Sequence, residues 1–127
     1  MELVYLTVLL ALVEYTVFAA LVGRARAKYG IRAPAMTGQP DFERVNRVHY
    51  NTLEALATFI PTVVLFGLYL DARWAAALGF VFVVSRAIYA VGYMQAAEKR
   101  AVGAGICGLT NLALLAGALF GVIRALL

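Results

Sequence analysis

The chain has 127 residues, 64% hydrophobic and 14% charged, with a net charge of +4. A soluble domain is about half apolar and about a quarter charged, and a bilayer-spanning helix needs roughly 20 mostly apolar residues. The composition therefore describes one all-α integral membrane domain over residues 1–127 and leaves no room for a separate soluble catalytic domain. Lys and Arg sit at the ends of apolar runs instead of along a solvated face, which argues against nucleic acid as a partner. Cys107, the only cysteine, excludes an intrachain disulfide and a cysteine metal cluster, and no metal site is expected.

The first predicted helix covers about Leu3 to Tyr29, apolar to Val22 and basic afterwards. With Glu2 as the first charge and no basic leading region, it reads as a span and not as a cleavable signal. Pro34, Gly38 and Pro40 break the following loop. A second helix is expected from about Phe42 to Leu70, with Asp41 as its N-cap. After a short turn at Asp71 and Arg73, a third runs from about Trp74 to Glu98; Gly103 and Gly105 mark the next turn, and a fourth, from about residue 104, ends near Leu127. Short turns favour an up-down bundle of antiparallel neighbours. Arg24, Arg26, Lys28, Arg32, Arg44 and Arg47 flank the first loop and Lys99 and Arg100 the third. This bias predicts cytoplasmic first and third loops, with both termini on the opposite side.

Ionisable groups inside spans cost about 2.5–3.5 kcal/mol each on insertion scales, so each needs a partner or a purpose. Arg47, Asn51 and Glu54 fall within roughly 60° of one another on the second helix, with Arg44 and Thr58 extending the stripe and His49 facing nearly the opposite way. Arg86, Tyr89, Tyr93 and Arg100 form a similar stripe on the third, about 21 Å long. Two facing stripes would make a polar cleft for a small zwitterion with more than one carboxylate, with lipid as the route for an apolar second ligand. Glu14 and Arg86, both mid-span, are candidates for a structural ion pair, with Glu54 as the alternative carboxylate.

The run from Phe42 to Glu54, with Arg47, His49, Asn51 and Glu54 at successive spacings of two, two and three, resembles the signature of the MAPEG family, membrane-associated proteins of eicosanoid and glutathione metabolism. The run Ser85–Tyr93 followed by Arg100, the basic end of the first helix and the Pro-containing loop also resemble the family's. His49 followed by Asn51-Thr52-Leu53-Glu54 is most similar to the microsomal glutathione transferase 3-like members. The chain departs from some members at Ala55, where they have Tyr, and at Ala27, where the leukotriene-forming member has a second Arg. Pro61 also stands off the family's nearby proline position.

The resemblance implies a four-helix bundle assembled as a homotrimer, with glutathione between neighbouring subunits. Carried over position by position, it assigns glutathione contacts to Arg26, Arg47, His49, Asn51, Glu54, Tyr89 and Tyr93, and stabilisation of the glutathione thiolate to Arg100. Glutathione would serve as co-substrate and no metal would be needed. The implied function is conjugation of glutathione to lipophilic electrophiles, reduction of lipid hydroperoxides, or both. The alternative is a non-catalytic lipid-binding or scaffold role, which the family also includes.

Overall fold

A computed structural model describes all residues from Met1 to Leu127. Four long helices make up the chain: α1 (Glu2–Tyr29), α2 (Pro40–Tyr69), α3 (Ala72–Gln95) and α4 (Ala101–Leu126), with a single 3-10 turn at Ala97–Arg100. All four are long and apolar enough to cross a bilayer. α2 and α3 form the centre of the bundle, each touching the other three helices or their connections, while α1 packs on one side of this pair and α4 on the other.

Several boundaries differ from those expected. Gln39, not Asp41, caps α2: its side chain accepts from the Phe42 N–H at 2.8 Å, and Pro40 occupies the first helical position. Proline there loses no hydrogen bond and has its φ already set for the helix, so it moves the start two residues earlier than the aspartate suggested. α1 stops at Gly30, whose φ of 67° suits glycine, and the Gly30 N–H closes on the Arg26 carbonyl. Asp71, expected in a turn, also caps α3, accepting from the Arg73 and Trp74 N–H groups at 2.8 and 3.0 Å.

The α3–α4 junction departs furthest. α3 ends at Gln95 and not at Glu98, and Gly103 and Gly105 lie inside α4, not in a turn. Ala96 is extended and the chain turns back on α3, seating the Lys99 main chain against Gly92. A Cβ on Gly92 would stand 3.1 Å from the Lys99 carbonyl carbon. Gly92, which carried no separate signal in the sequence, is what lets this reversal happen early.

Small residues bring the helices together elsewhere too. A Cβ on Gly79 would meet Cβ of Thr7 at 2.8 Å, one on Gly103 the Tyr89 Cα at 2.6 Å, and one on Gly121 the Tyr69 Cβ at 2.9 Å. Lipid tails are as apolar as leucine, so close backbone approach and packing, not expulsion of water, hold such a bundle together. The core carries Phe59 and Phe82 stacked at 3.8 Å, with Val4, Val63, Ala75 and Leu114 fully buried around them. Span hydroxyls bond their own helix: Thr7 to the Val4 carbonyl, Thr52 to Val48, Ser85 to Phe82 and Thr110 to Ile106. With no water at that depth, the preceding turn is the nearest acceptor. Pro61 sits within α2 on its exposed side, and the helix continues through it.

Candidate functional site

The site is built where the start of α2 meets the end of α3, at the basic end of the bundle. The first loop is tied down there. Arg26 donates to the Ala35 carbonyl at 2.7 Å and lies 4.9 Å above the Phe42 ring centroid. Glu43 accepts from the Gly38 N–H at 3.1 Å. Arg44 pairs with Asp41 and donates to the Met94 carbonyl at 3.4 Å, joining the first turn of α2 to the last turn of α3. In this geometry Arg26 serves the loop, and Arg44 has a bracing role that its place in the stripe did not reveal.

Two polar hollows share this corner. One, of about 320 Å³, is lined by Met36, Thr37, Glu43, Asn46, Arg47, Tyr50 and Glu54. The other, of about 270 Å³, is lined by Pro40, Glu43, Arg44, Arg47, Tyr93 and Ala97. Glu43 and Arg47 line both, so the two hollows adjoin along these side chains and make a two-part groove with Arg47 between its parts. An apolar groove of about 330 Å³, lined by residues including Leu12, Leu53, Ala57 and Ile60, meets it at Glu54.

The expected stripes meet, though not as two open walls. Asn51 donates to the Tyr89 hydroxyl at 2.6 Å, linking α2 to α3. Tyr89 is only 2% exposed and Tyr93 8%, their rings stacked at 5.6 Å. Tyr89 therefore braces Asn51 from behind, while Arg47 and Glu54 are exposed. Arg100 is not a continuation of helix α3; it stands in the 3-10 turn, and the folded-back chain brings its guanidinium to 5.6 Å from the Tyr93 centroid. His49 faces away from the groove, stacked on Tyr15 of α1 at 4.6 Å and 9°. Within one chain it does not join Arg47, Asn51 and Glu54.

The expected ion pair between Glu14 and Arg86 does not form: the only ion pairs are the N-terminal ammonium with Glu2 and Arg44 with Asp41. Arg86 instead donates to the Thr52 hydroxyl at 2.6 Å and lies 4.0 Å from the Tyr89 centroid. Glu14 Oε2 and Arg86 Nε have no hydrogen-bond partner. A side chain as long as arginine reaches several neighbours from one backbone position, and helical spacing cannot say which one it takes. Thr52, Arg86's partner, gave no signal in sequence because a threonine in a span ordinarily bonds its own helix, as this one also does. Glu43, Asn46 and Tyr50 line the groove without having been singled out; Asn46 and Tyr50 flank the stripe, whereas Glu43, one turn before Arg47, lies on the same face and could have been found by the same spacing.

Taken together, the groove offers guanidiniums from Arg44 and Arg47, carboxylates from Glu43 and Glu54, and the Arg100 guanidinium nearby, at the edge of a membrane-spanning bundle. Its chemistry matches a small ligand carrying charges of both signs. Comparison with known proteins gives the same region a lineage. An uncharacterized protein of Synechocystis is 53% identical over 114 residues, covering 90% of this chain and 83% of that protein. Human microsomal glutathione S-transferase 2 is 40% identical over 112 residues, covering 87% of this chain and 76% of that protein. Leukotriene C4 synthase of Cavia porcellus is 35% identical over 92 residues, covering 72% of this chain and 61% of that protein. The sequence model of the MAPEG family matches residues 3–120, spanning all four helices and both sides of the groove, and the chain is a member of that family.

Proposed function

We propose that this protein is a membrane-bound glutathione transferase acting on lipophilic electrophiles, lipid hydroperoxides, or both. The observation that carries the reading is the mixed-charge groove around Arg47, walled in part by the Tyr93 ring that Arg100 contacts, and meeting an apolar groove at Glu54. Glutathione has two carboxylates, an ammonium and a thiol. Arg47 suits a carboxylate, and Glu43 and Glu54 suit the ammonium. The relationship to a protein named microsomal glutathione S-transferase supports the same ligand.

The chemistry needs little more than a cation near sulfur. A free thiol has a pKa of about 8.5 and is mostly protonated at neutral pH. A guanidinium beside it, partly shielded from water, favours the thiolate, and arginine stays charged throughout. The thiolate attacks an electrophilic carbon to give a thioether, the leaving group departing with its electron pair. With a hydroperoxide it attacks the terminal oxygen, the O–O bond breaks, and the alkoxide takes up a proton to become an alcohol. A second glutathione then reduces the sulfenic acid, giving the disulfide and water. We assign the thiolate role to Arg100 and the binding roles to Arg47, Asn51 and Glu54, with Tyr89 and Tyr93 behind them. Arg26 shapes the loop over the groove, and His49 serves the groove of a neighbouring copy in a homotrimer. The basic loops would face the cytoplasm.

The test is a thiolate absorbance titration with glutathione, run beside turnover of a chloronitrobenzene and of a lipid hydroperoxide. The wild type is expected to form thiolate at neutral pH. Arg100→Ala should lose it, with the activity profile displaced to higher pH, because the sulfur returns toward its free value of about 8.5. Glutathione binding without turnover across a broad electrophile panel would replace this reading with the lipid-binding one.

A further inference from the structure

Four side chains follow one another through the α3–α4 corner: Arg86, Tyr89, Tyr93 and Arg100. The Arg86 guanidinium lies 4.0 Å from the Tyr89 centroid, the two tyrosine rings stack at 5.6 Å and 18°, and the Arg100 guanidinium lies 5.6 Å from the Tyr93 centroid. Cations are attracted to ring faces by the quadrupole of the ring, so each contact in this column is favourable. Its two ends differ. Arg100 is exposed and makes no ion pair, and the Tyr93 ring is the one charged-group contact that holds it. Arg86 is 3% exposed, fixed by its bond to Thr52 at 2.6 Å, with Cys107 Sγ at 3.9 Å.

A buried cation that forms no ion pair, with the Glu14 carboxyl near enough to act on it through space but bonded to nothing itself, is a costly way to fill space in a span. A methionine would occupy a similar volume and keep its contact with the ring without that cost. The charge itself therefore needs a use. We propose that Arg86 is a positioning residue for the thiolate site: it anchors the buried end of the Tyr89–Tyr93 column, sets through it where the Arg100 guanidinium stands, and adds its own positive potential behind the bound sulfur. The inference rests on the glutathione-thiolate reading above. It assigns to Arg86 a second task besides structural support: favouring the anion of a small thiol.

The experiment uses the full chain in nanodiscs, with glutathione as the probe. The apparent pKa of the bound thiol, kcat and the KM for glutathione are measured in the wild type, Arg86→Lys and Arg86→Met. In Arg86→Met the thiolate fraction at neutral pH is expected to fall about threefold, the loss of one cation at a distance in a partly shielded site. The thiol pKa should rise and kcat fall in step, while KM changes less than about twofold. Arg86→Lys, which keeps the charge, should recover most of the thiolate. A wild-type thiol pKa in Arg86→Met, with damage confined to thermal stability or KM, overturns the proposal. If Arg86→Met does not assemble, Thr52→Val provides the same test, since it frees the guanidinium but keeps the charge. A smaller shift in the same direction is expected there, and an unchanged thiol pKa overturns the proposal. Absence of thiolate in the wild type overturns the glutathione reading itself, and is told apart because it does not depend on any variant.

Discussion

Gly103 lets α4 pack directly against the backbone of α3 at Tyr89. A methyl group there would meet the Tyr89 backbone, with its Cα at 2.6 Å, and backbone cannot rotate aside as a side chain can. Gly103→Ala is therefore expected to destabilise the bundle by about 1–3 kcal/mol, the usual range for overpacking. Because Tyr89 carries the column to Arg100, it should lower turnover as well. Gly105→Ala, two residues on, meets nothing within 4 Å and exchanges glycine for a better helix former. It should be neutral or stabilising by up to about 1 kcal/mol. Thermal unfolding of both variants in one detergent gives the comparison. The residue scale also shows where sequence reading stopped. The periodicity put Arg86, Tyr89 and Tyr93 on one face of α3, and they are stacked there. It offered carboxylates as partners for Arg86 and gave no sign of Thr52, because the partner depends on rotamers and on how closely α1, α2 and α3 approach.

Among the elements, α3 depends most on its ends. Its N-cap, Asp71, accepts two backbone N–H bonds in the tight α2–α3 turn. Asp71→Ala should cost about 1 kcal/mol and speed hydrogen exchange at Arg73 and Trp74, while leaving the groove at the far end of the helix with its thiolate signal. The measurement is amide exchange followed by mass spectrometry. At its other end, α3 stops three residues before the expected boundary, since Gly92 admits the returning chain. Arg100 thus reaches Tyr93 from a turn and not from the next helical rung. The hydrophobic spacing located the four helices because the bilayer demands about 20 apolar residues whatever the packing. Their ends follow caps and close backbone contacts, which no local pattern encodes.

At the scale of the whole molecule, the exposed surface is strongly apolar along the spans, with Leu9, Val13, Leu109 and Leu112 among many exposed large side chains. Lipid covers such a face, and so would further copies of the chain. His49 supplies a test for copies: stacked on Tyr15 of its own α1, it does not reach the Arg47 groove of its own chain, so a glutathione contact by His49 requires a neighbouring chain. We expect chemical cross-linking in native membranes to give a ladder ending at three. Mixing His49→Ala with Arg100→Ala chains should also restore part of the turnover that each lacks alone, because some grooves would then draw both intact residues from different copies. A ladder ending at one, or no complementation, would confine each groove to its own chain.

Residue order alone is enough to specify a four-helix membrane protein with polar residues gathered toward its basic end. Composition and the 3.6-residue period record how much lipid-compatible surface the chain has and which residues share a helix face. The tertiary structure alone decided what those residues do to one another. It sent Arg86 to Thr52 and Tyr89 instead of Glu14, turned Tyr89 from a wall of the cleft into a brace for Asn51, folded Arg100 back over Tyr93, and joined two hollows at Arg47. Each of these depends on contacts between helices, where a glycine or a long flexible side chain settles distances of a few ångströms, and such distances lie beyond what the spacing of residues along one helix can specify.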